Sequence, residues 1–165
     1  MEKFINFIVI ILVVVTGFYI ITDINESSKD SMDNRKVILF YYDSDLDIDE
    51  DGDILCSNKG LVSTEKNLEV NEDEDVILAT LNALIEGEGF NGEVNDNMNF
   101  PLENFSLESY SLDNGDLILN FSDPNYISSG GSCRVTVLAN QVYKTIEQFE
   151  NIENIEFNPE HVFQP

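Results

Sequence analysis

The chain opens on eighteen residues without a charge, Phe4 to Ile21, interrupted only by Asn6, Thr16 and Gly17. That length crosses the hydrocarbon core of a bilayer as a helix. No small-x-small cleavage site follows the run and no cysteine stands directly behind it. The pattern therefore predicts an uncleaved signal-anchor helix over residues 1–22, not a removed signal or a lipid-modified terminus. The next stretch, DINESSKDSMDN, has almost no apolar content and cannot bury enough surface to offset the entropy of ordering it. Residues 23–35 are predicted to be a flexible tether, and residues 36–165 to form one extracytoplasmic domain.

Within that domain the apolar pattern changes period several times. KVILFYY, Lys36 to Tyr42, is a short continuous run with β-branched and aromatic residues between acidic turn residues, as a buried strand requires. A second strand is predicted at about Leu61 to Val70. Ile77, Leu78, Leu81, Leu84 and Ile85 then fall on one helical face. Asn71 is the expected cap, with Glu74 completing a capping box and Gly87 supplying the stop. A Gly- and Asn-rich loop follows, Glu88 to Asn99. Phe105 to Leu112 and Leu117 to Phe121 return to strand alternation, joined by Asn114-Gly115, a pair that accepts the positive backbone angles of a tight hairpin. Val135, Leu138, Val142, Ile146 and Phe149 recur at spacings of three and four, predicting a second helix from about Cys133 to Phe149. A last strand is expected at Asn154 to Phe157. The order strand, strand, helix, strand, strand, helix, strand does not fit a doubly wound parallel sheet. It predicts an α+β fold in two layers, two helices on one face of a mostly antiparallel sheet of about five strands.

Charge narrows the partners. The chain has 32 acidic against 8 basic residues and a formal charge of -24, which repels phosphates and anionic lipid headgroups. No nucleic-acid partner is expected. The flanks of the apolar run do not settle its orientation, because Lys3 and the amino terminus on one side face Lys29, Arg35 and Lys36 on the other. An outward domain is expected instead from the two-residue N-terminal flank and from the cysteines, which suit an oxidising compartment.

Several segments in order resemble the GerMN domain of sporulation and germination proteins and of some actinobacterial lipoproteins. They are VILFYY, GLVSTEKNLEV, DVILATLNALIEGE, FSLESYSLDNGDLILNFSD and VLANQVYKTIEQFENIENIEF, spanning about Val37 to Phe157. The segment YKTIEQF before a closing apolar strand is similar to the family's Tyr-Thr-Leu-x-Gln-Phe. The chain departs from the family's Arg in the second strand and Gly-Pro after the first helix, having Glu65-Lys66 and Gly87-Glu88 there. The resemblance implies a non-catalytic interaction or scaffolding module of the cell envelope, with envelope proteins or further copies of itself as partners and no catalytic residues to carry over.

The sharpest chemical signal is Asp47-Ile48-Asp49-Glu50-Asp51-Gly52-Asp53-Ile54, which matches the D-x-D-x-D-G opening of a calcium loop. Carboxylates at alternate positions converge on a hard cation when a glycine lets the backbone turn. Asp47, Asp49, Asp51 and Asp53 are thus candidate calcium ligands. Against this, the twelfth position is Asn58 where such loops place a bidentate Glu, and a plain acidic hairpin loop accounts for the same residues. Cys56 and Cys133 are the only cysteines. Two cysteines in an exported domain commonly pair, and a disulfide is the favoured reading. The alternatives are two separate buried thiols, or a reactive thiolate at Cys133 activated by a helix N-terminus, for which the sole histidine, His161, stands far along the chain. Ser128 to Ser132 offers either an anion nest or, more simply, a turn into the second helix with Ser132 as cap. No carboxylate pair stands out as a glycosidase couple.

Overall fold

The computed structural model of the chain describes residues 33–70, 75–90 and 98–165. Strand β1, Asp33–Tyr42, pairs antiparallel with β2, Leu61–Val70, in unbroken register from Asp33↔Val70 to Tyr42↔Leu61. β1 begins three residues before the predicted start because β2 runs on to Val70 and supplies partners for Asp33, Asn34 and Arg35. Expected in the tether, those residues belong to the strand. Alternation turns Val37, Leu39 and Tyr41 into the core.

Helix α1, Val76–Ile85, is capped by Asp75, whose carboxylate accepts from the backbone N–H groups of Ile77 at 2.9 Å and Leu78 at 3.4 Å. The predicted cap, Asn71, lies outside the described residues. The helix therefore starts a turn later than the capping-box pattern implied. Asp75 also accepts a short hydrogen bond from the Tyr110 hydroxyl, which ties the helix start to β3, Ser106–Asp113. Burial, then that bond and the Asp75 charge, push the Tyr110 hydroxyl up to about 12. The predicted stop holds: Gly87 sits at φ +72, with Gly87 N–H to Leu84 carbonyl at 3.0 Å and Glu88 N–H to Ala83 carbonyl at 2.9 Å. This is the paired closure of a Schellman motif.

β3 and β4, Asp116–Ser122, form the predicted hairpin, with Asn114 at φ 51 and Gly115 at φ 93. The chain then crosses through helix α2, Ser132–Ile146, and returns as β5, Asn154–Asn158, which pairs parallel with β4. A helical crossover brings the chain back in its original direction, so the last pairing is parallel. α2 ends at Ile146, one turn before the predicted Phe149, and its cap is Gly131, not Ser132.

The predicted single sheet is two sheets, β1-β2 and β3-β4-β5. The reason is side-chain chemistry at the outer edge of β1. Gln148 accepts from Ile38 N–H at 3.0 Å and donates to its carbonyl at 2.9 Å. Thr145 accepts from Phe40 N–H at 3.1 Å, and Asn99 accepts from Tyr42 N–H at 2.7 Å and donates to its carbonyl at 2.8 Å. These side chains occupy the backbone groups that a strand joining the two sheets at β1 would need.

α2 packs on β1, and α1 packs on α2, β1, β2 and β3. The enclosed core includes Leu39, Leu81, Leu84, Leu117, Leu119, Leu138 and Val142, and each fully buried aliphatic side chain contributes roughly 1.5–3 kcal/mol. Phe100, Phe105, Phe121, Phe157 and Phe163 cluster at one end in stacked and edge-to-face contacts, so Phe163 near the end of the chain is held by core packing. No helix among the described residues is long and apolar enough to cross a membrane. The predicted anchor, residues 1–22, lies outside the described residues.

Candidate interaction loop

The connection between β1 and β2, residues 43–60, carries both the acidic motif and a cysteine, and the chain fixes it at several points. Asp43 caps a short turn over Ser44–Leu46 by accepting from Asp45 N–H at 3.0 Å. Asp47 then points inward and is 1% exposed. Its carboxylate accepts from the Tyr42 hydroxyl at 2.6 Å, the Ser57 N–H at 2.5 Å and the Ser57 hydroxyl at 2.5 Å. Burial by itself raises the Asp47 pKa. The Ser57 and Tyr42 hydrogen bonds and the Lys59 charge outweigh it, and the carboxyl lies below its ordinary range. Gly60 closes the loop against this node. A Cβ there would sit 2.9 Å from the Asp43 carbonyl oxygen and from Asp47 Cβ, and closer still to the Tyr42 ring.

Beyond Asp47 the chain makes a small finger. Ile48 and Ile54 form an antiparallel bridge. Asp49 spans the tip, its Oδ1 accepting from the N–H groups of Asp51 and Asp53, each at 2.9 Å, while Gly52 turns at φ 88. Leu55 N–H returns to the Asp47 carbonyl at 2.8 Å. Cys56 follows and is bonded to Cys133 in the first turn of α2, with a Cα–Cα distance of 5.2 Å.

This geometry gives the candidate calcium ligands Asp47, Asp49, Asp51 and Asp53 different surroundings, the first buried and the other three exposed. The first ligand has spent its oxygens on Tyr42 and Ser57, and the second holds its own loop together. Among the described residues no group of three or more His, Cys, Asp or Glu side chains is placed to hold a metal ion. Millimolar calcium is accordingly expected to leave the thermal midpoint of the protein unchanged. A rise that Asp49→Ala abolishes would overturn this reading.

What the loop does present is apolar. Leu46 is 58% exposed, Ile48 52%, Ile54 49% and Leu55 46%, half of the exposed large hydrophobic residues among those described. Asp45, Asp49, Glu50, Asp51 and Asp53 surround them, all exposed. The periodicity of the sequence does not flag these four, because they stand in a loop and belong to no helical or strand face. The signal available was their presence inside an otherwise polar, acidic connection. The loop thus presents an apolar tip ringed by carboxylates.

The sole histidine is placed elsewhere. His161 Nε2 lies 3.7 Å from Oδ2 of the buried Asp123. Asp123 also accepts from Ile127 N–H at 2.7 Å, Ser128 N–H at 3.1 Å and the Ser128 hydroxyl at 2.6 Å. The Ser128 hydroxyl donates straight to the carboxylate, so no serine-to-histidine relay is assembled. Ser128 Oγ accepts from Phe163 N–H at 3.4 Å, and the Ser129 hydroxyl donates to the His161 carbonyl at 2.7 Å. Ser128 and Ser129 thus fasten the C-terminal segment, a role the sequence reading did not assign to them.

Comparison with known proteins agrees with this architecture. No match is found among curated proteins. The tandem GerMN domains of the sporulation protein GerM from Bacillus subtilis superpose with a TM-score of 0.52 at 16% identity, covering 79% of this chain. The chain spans 42% of the length of that structure. A Clostridium perfringens crystal structure is 19% identical over 80% of each chain, with a TM-score of 0.40. A family model described as Germane, sporulation and spore germination, matches residues 39–160, and with most of the described fold inside that match the chain belongs to the Germane family.

Proposed function

We propose that this protein is a non-catalytic interaction module of the cell envelope, held at the membrane by the apolar segment Phe4 to Ile21, with its Germane domain outside the cytoplasm. The observation that carries the reading is the loop 43–60. Four aliphatic side chains are held in water by a disulfide, a buried carboxylate and a bridged finger, an arrangement that pre-orders the contact surface before a partner arrives. The ring of acids selects a partner whose apolar patch is bordered by Lys or Arg, and it disfavours a second copy of the same loop. Membership of the Germane family and the disulfide both fit an exported domain.

The test is crosslinking of the full chain in native membranes, comparing the wild type with the double variant Ile48→Ser, Ile54→Ser. Both side chains are half exposed, so folding stability is expected to change by no more than about 0.5–1 kcal/mol. The crosslinked adduct is expected to fall by about tenfold, the loss of roughly 1.4 kcal/mol of apolar contact. Recovery of the wild type only as an uncrosslinked monomer, or equal adduct from both proteins, would sink the proposal. Thiol labelling from the outer side of sealed, reduced cells places the domain, and labelling seen only after lysis reverses the proposed orientation.

A further inference from the structure

The two edges of the β1-β2 sheet are treated in opposite ways. On β1, side chains of Asn99, Thr145 and Gln148 take up the outward backbone groups of Ile38, Phe40 and Tyr42. That parity fixes the rest of the ladder. Val37, Leu39 and Tyr41 face β2 and pair with Lys66, Thr64 and Val62. The backbone N–H and C=O groups of Ser63, Glu65, Asn67 and Glu69 therefore point away from the sheet. All four residues are exposed, and among the described residues none of these backbone groups has a hydrogen-bond partner. Natural sheets protect a long edge of this kind or use it.

Beside the open edge runs a groove of ≈ 350 Å³ between β2 and α1. Leu68, Ala79 and Ala83 give it an apolar floor, and the two alanines keep it shallow enough for a backbone to approach. Its charge is acidic: Glu65 pairs with Lys36 and Lys66 with Glu88, which leaves Glu69 and Glu86 in excess. A second copy of this strand is a poor occupant, because antiparallel pairing of β2 with itself sets glutamates against glutamates between two chains of charge -24.

We infer that the β2 edge is a second binding surface, one that accepts an extended segment of a partner protein as an added strand. The segment alternates basic with small apolar side chains, the basic ones beside Glu65 and Glu69 and the apolar ones over Leu68, Ala79 and Ala83. Main-chain hydrogen bonds to Ser63, Glu65, Asn67 and Glu69 provide the affinity, and the two alternating faces provide the selection. This surface is separate from the loop 43–60 and does not depend on it.

The experiment uses the full chain in detergent and a labelled heptapeptide, acetyl-Val-Lys-Val-Lys-Val-Lys-Val-amide, with a control in which the central lysine is proline. In the free protein the amides of Ser63, Glu65, Asn67 and Glu69 are expected to exchange without protection, and the heptapeptide to protect them. Asn67→Pro removes only an outward N–H, which an edge strand tolerates, and is expected to weaken binding by about tenfold without moving the thermal midpoint. Should that variant unfold, Glu69→Lys tests the same edge, with the same weakening expected from lost charge pairing. Ile48→Ser with Ile54→Ser is expected to leave heptapeptide binding intact, so failure of the loop proposal and failure of this one read out separately. Protection of the four amides in the free chain would overturn the inference, as would equal binding of the proline control or equal binding by the edge variant.

Discussion

Replacing Cys56 and Cys133 together by serine is expected to lower the stability of the folded chain by about 4.5 kcal/mol. The two residues are 77 apart in sequence and bonded in the structure. Closing a loop of that length restricts the unfolded chain far more than the folded one, and the chain-entropy relation gives the stated figure. The bond joins the connection between β1 and β2 to the first turn of α2, two parts of the molecule that otherwise meet mainly through the core. Denaturant titration of wild type, reduced wild type and the double serine variant checks the prediction. The last two should coincide, with a steeper dependence on denaturant because their unfolded states are more extended. A loss below about 1 kcal/mol would show that the unfolded chain is already compact around this loop. Apolar side chains at Leu46, Ile48, Ile54 and Leu55 would then owe their placement to Asp47 and the finger alone.

Asp47→Ala is the second large effect, expected to cost about 3 kcal/mol. The buried carboxylate answers three donors, the Tyr42 hydroxyl and both Ser57 donors. Alanine removes the acceptor and leaves those donors enclosed. Hydrogen bonds to a charged group contribute about 1.5–3 kcal/mol each, and three that share one carboxylate sum to less than their separate values. The Tyr42 hydroxyl is raised above its ordinary pKa by burial and then by its bond to Asp47. pH supplies an independent check. Because the folded carboxyl titrates below its ordinary value of 3.8, its stabilisation is fully present above that value and disappears as pH falls through the folded pKa. The stability gap between wild type and Asp47→Asn should accordingly be constant from pH 7 to about 5 and close as the pH falls below about 4. A gap that stays constant at acid pH would mean that the native carboxyl gains nothing from its charge.

Much of the fold was legible in the residues because local rules and tertiary packing agree there. The hairpin at Asn114-Gly115 lies where two positive backbone angles are needed, and the structure has both. Gly87 ends α1 for the same reason. The aliphatic spacing of both helices survives as buried faces, Leu81, Leu84 and Ile85 in one and Val135, Leu138, Val142 and Ile146 in the other. Boundaries were less legible. Asp75 displaced the expected cap because its own hydrogen bonds, to α1 and to Tyr110, are made partly with a strand thirty-odd residues away. The surroundings of the acidic motif were illegible for a similar reason. As a string, Asp47 to Asp53 spaces its carboxylates as a calcium loop does, but the string does not show that Tyr42 and Ser57 have already claimed the first of them.

By itself, then, the sequence determined the elements, the α+β class, the strongly acidic net charge, and membership of the Germane family. These follow from periodicity, turn chemistry and charge, which act over a few residues or over the whole composition. Tertiary structure alone decided that the sheet is two sheets, that the β1 edge is closed by Asn99, Thr145 and Gln148, and that the β2 edge has no backbone partner among the described residues. It also decided that Asp47 is a buried acceptor while four neighbouring aliphatic residues face water. The closed β1 edge depends on side chains that meet backbone groups 57 to 110 residues away, and the buried Asp47 on Tyr42 and Ser57, 5 and 10 residues away, being folded around it. Both are set by packing of the folded molecule and by no periodicity of the chain.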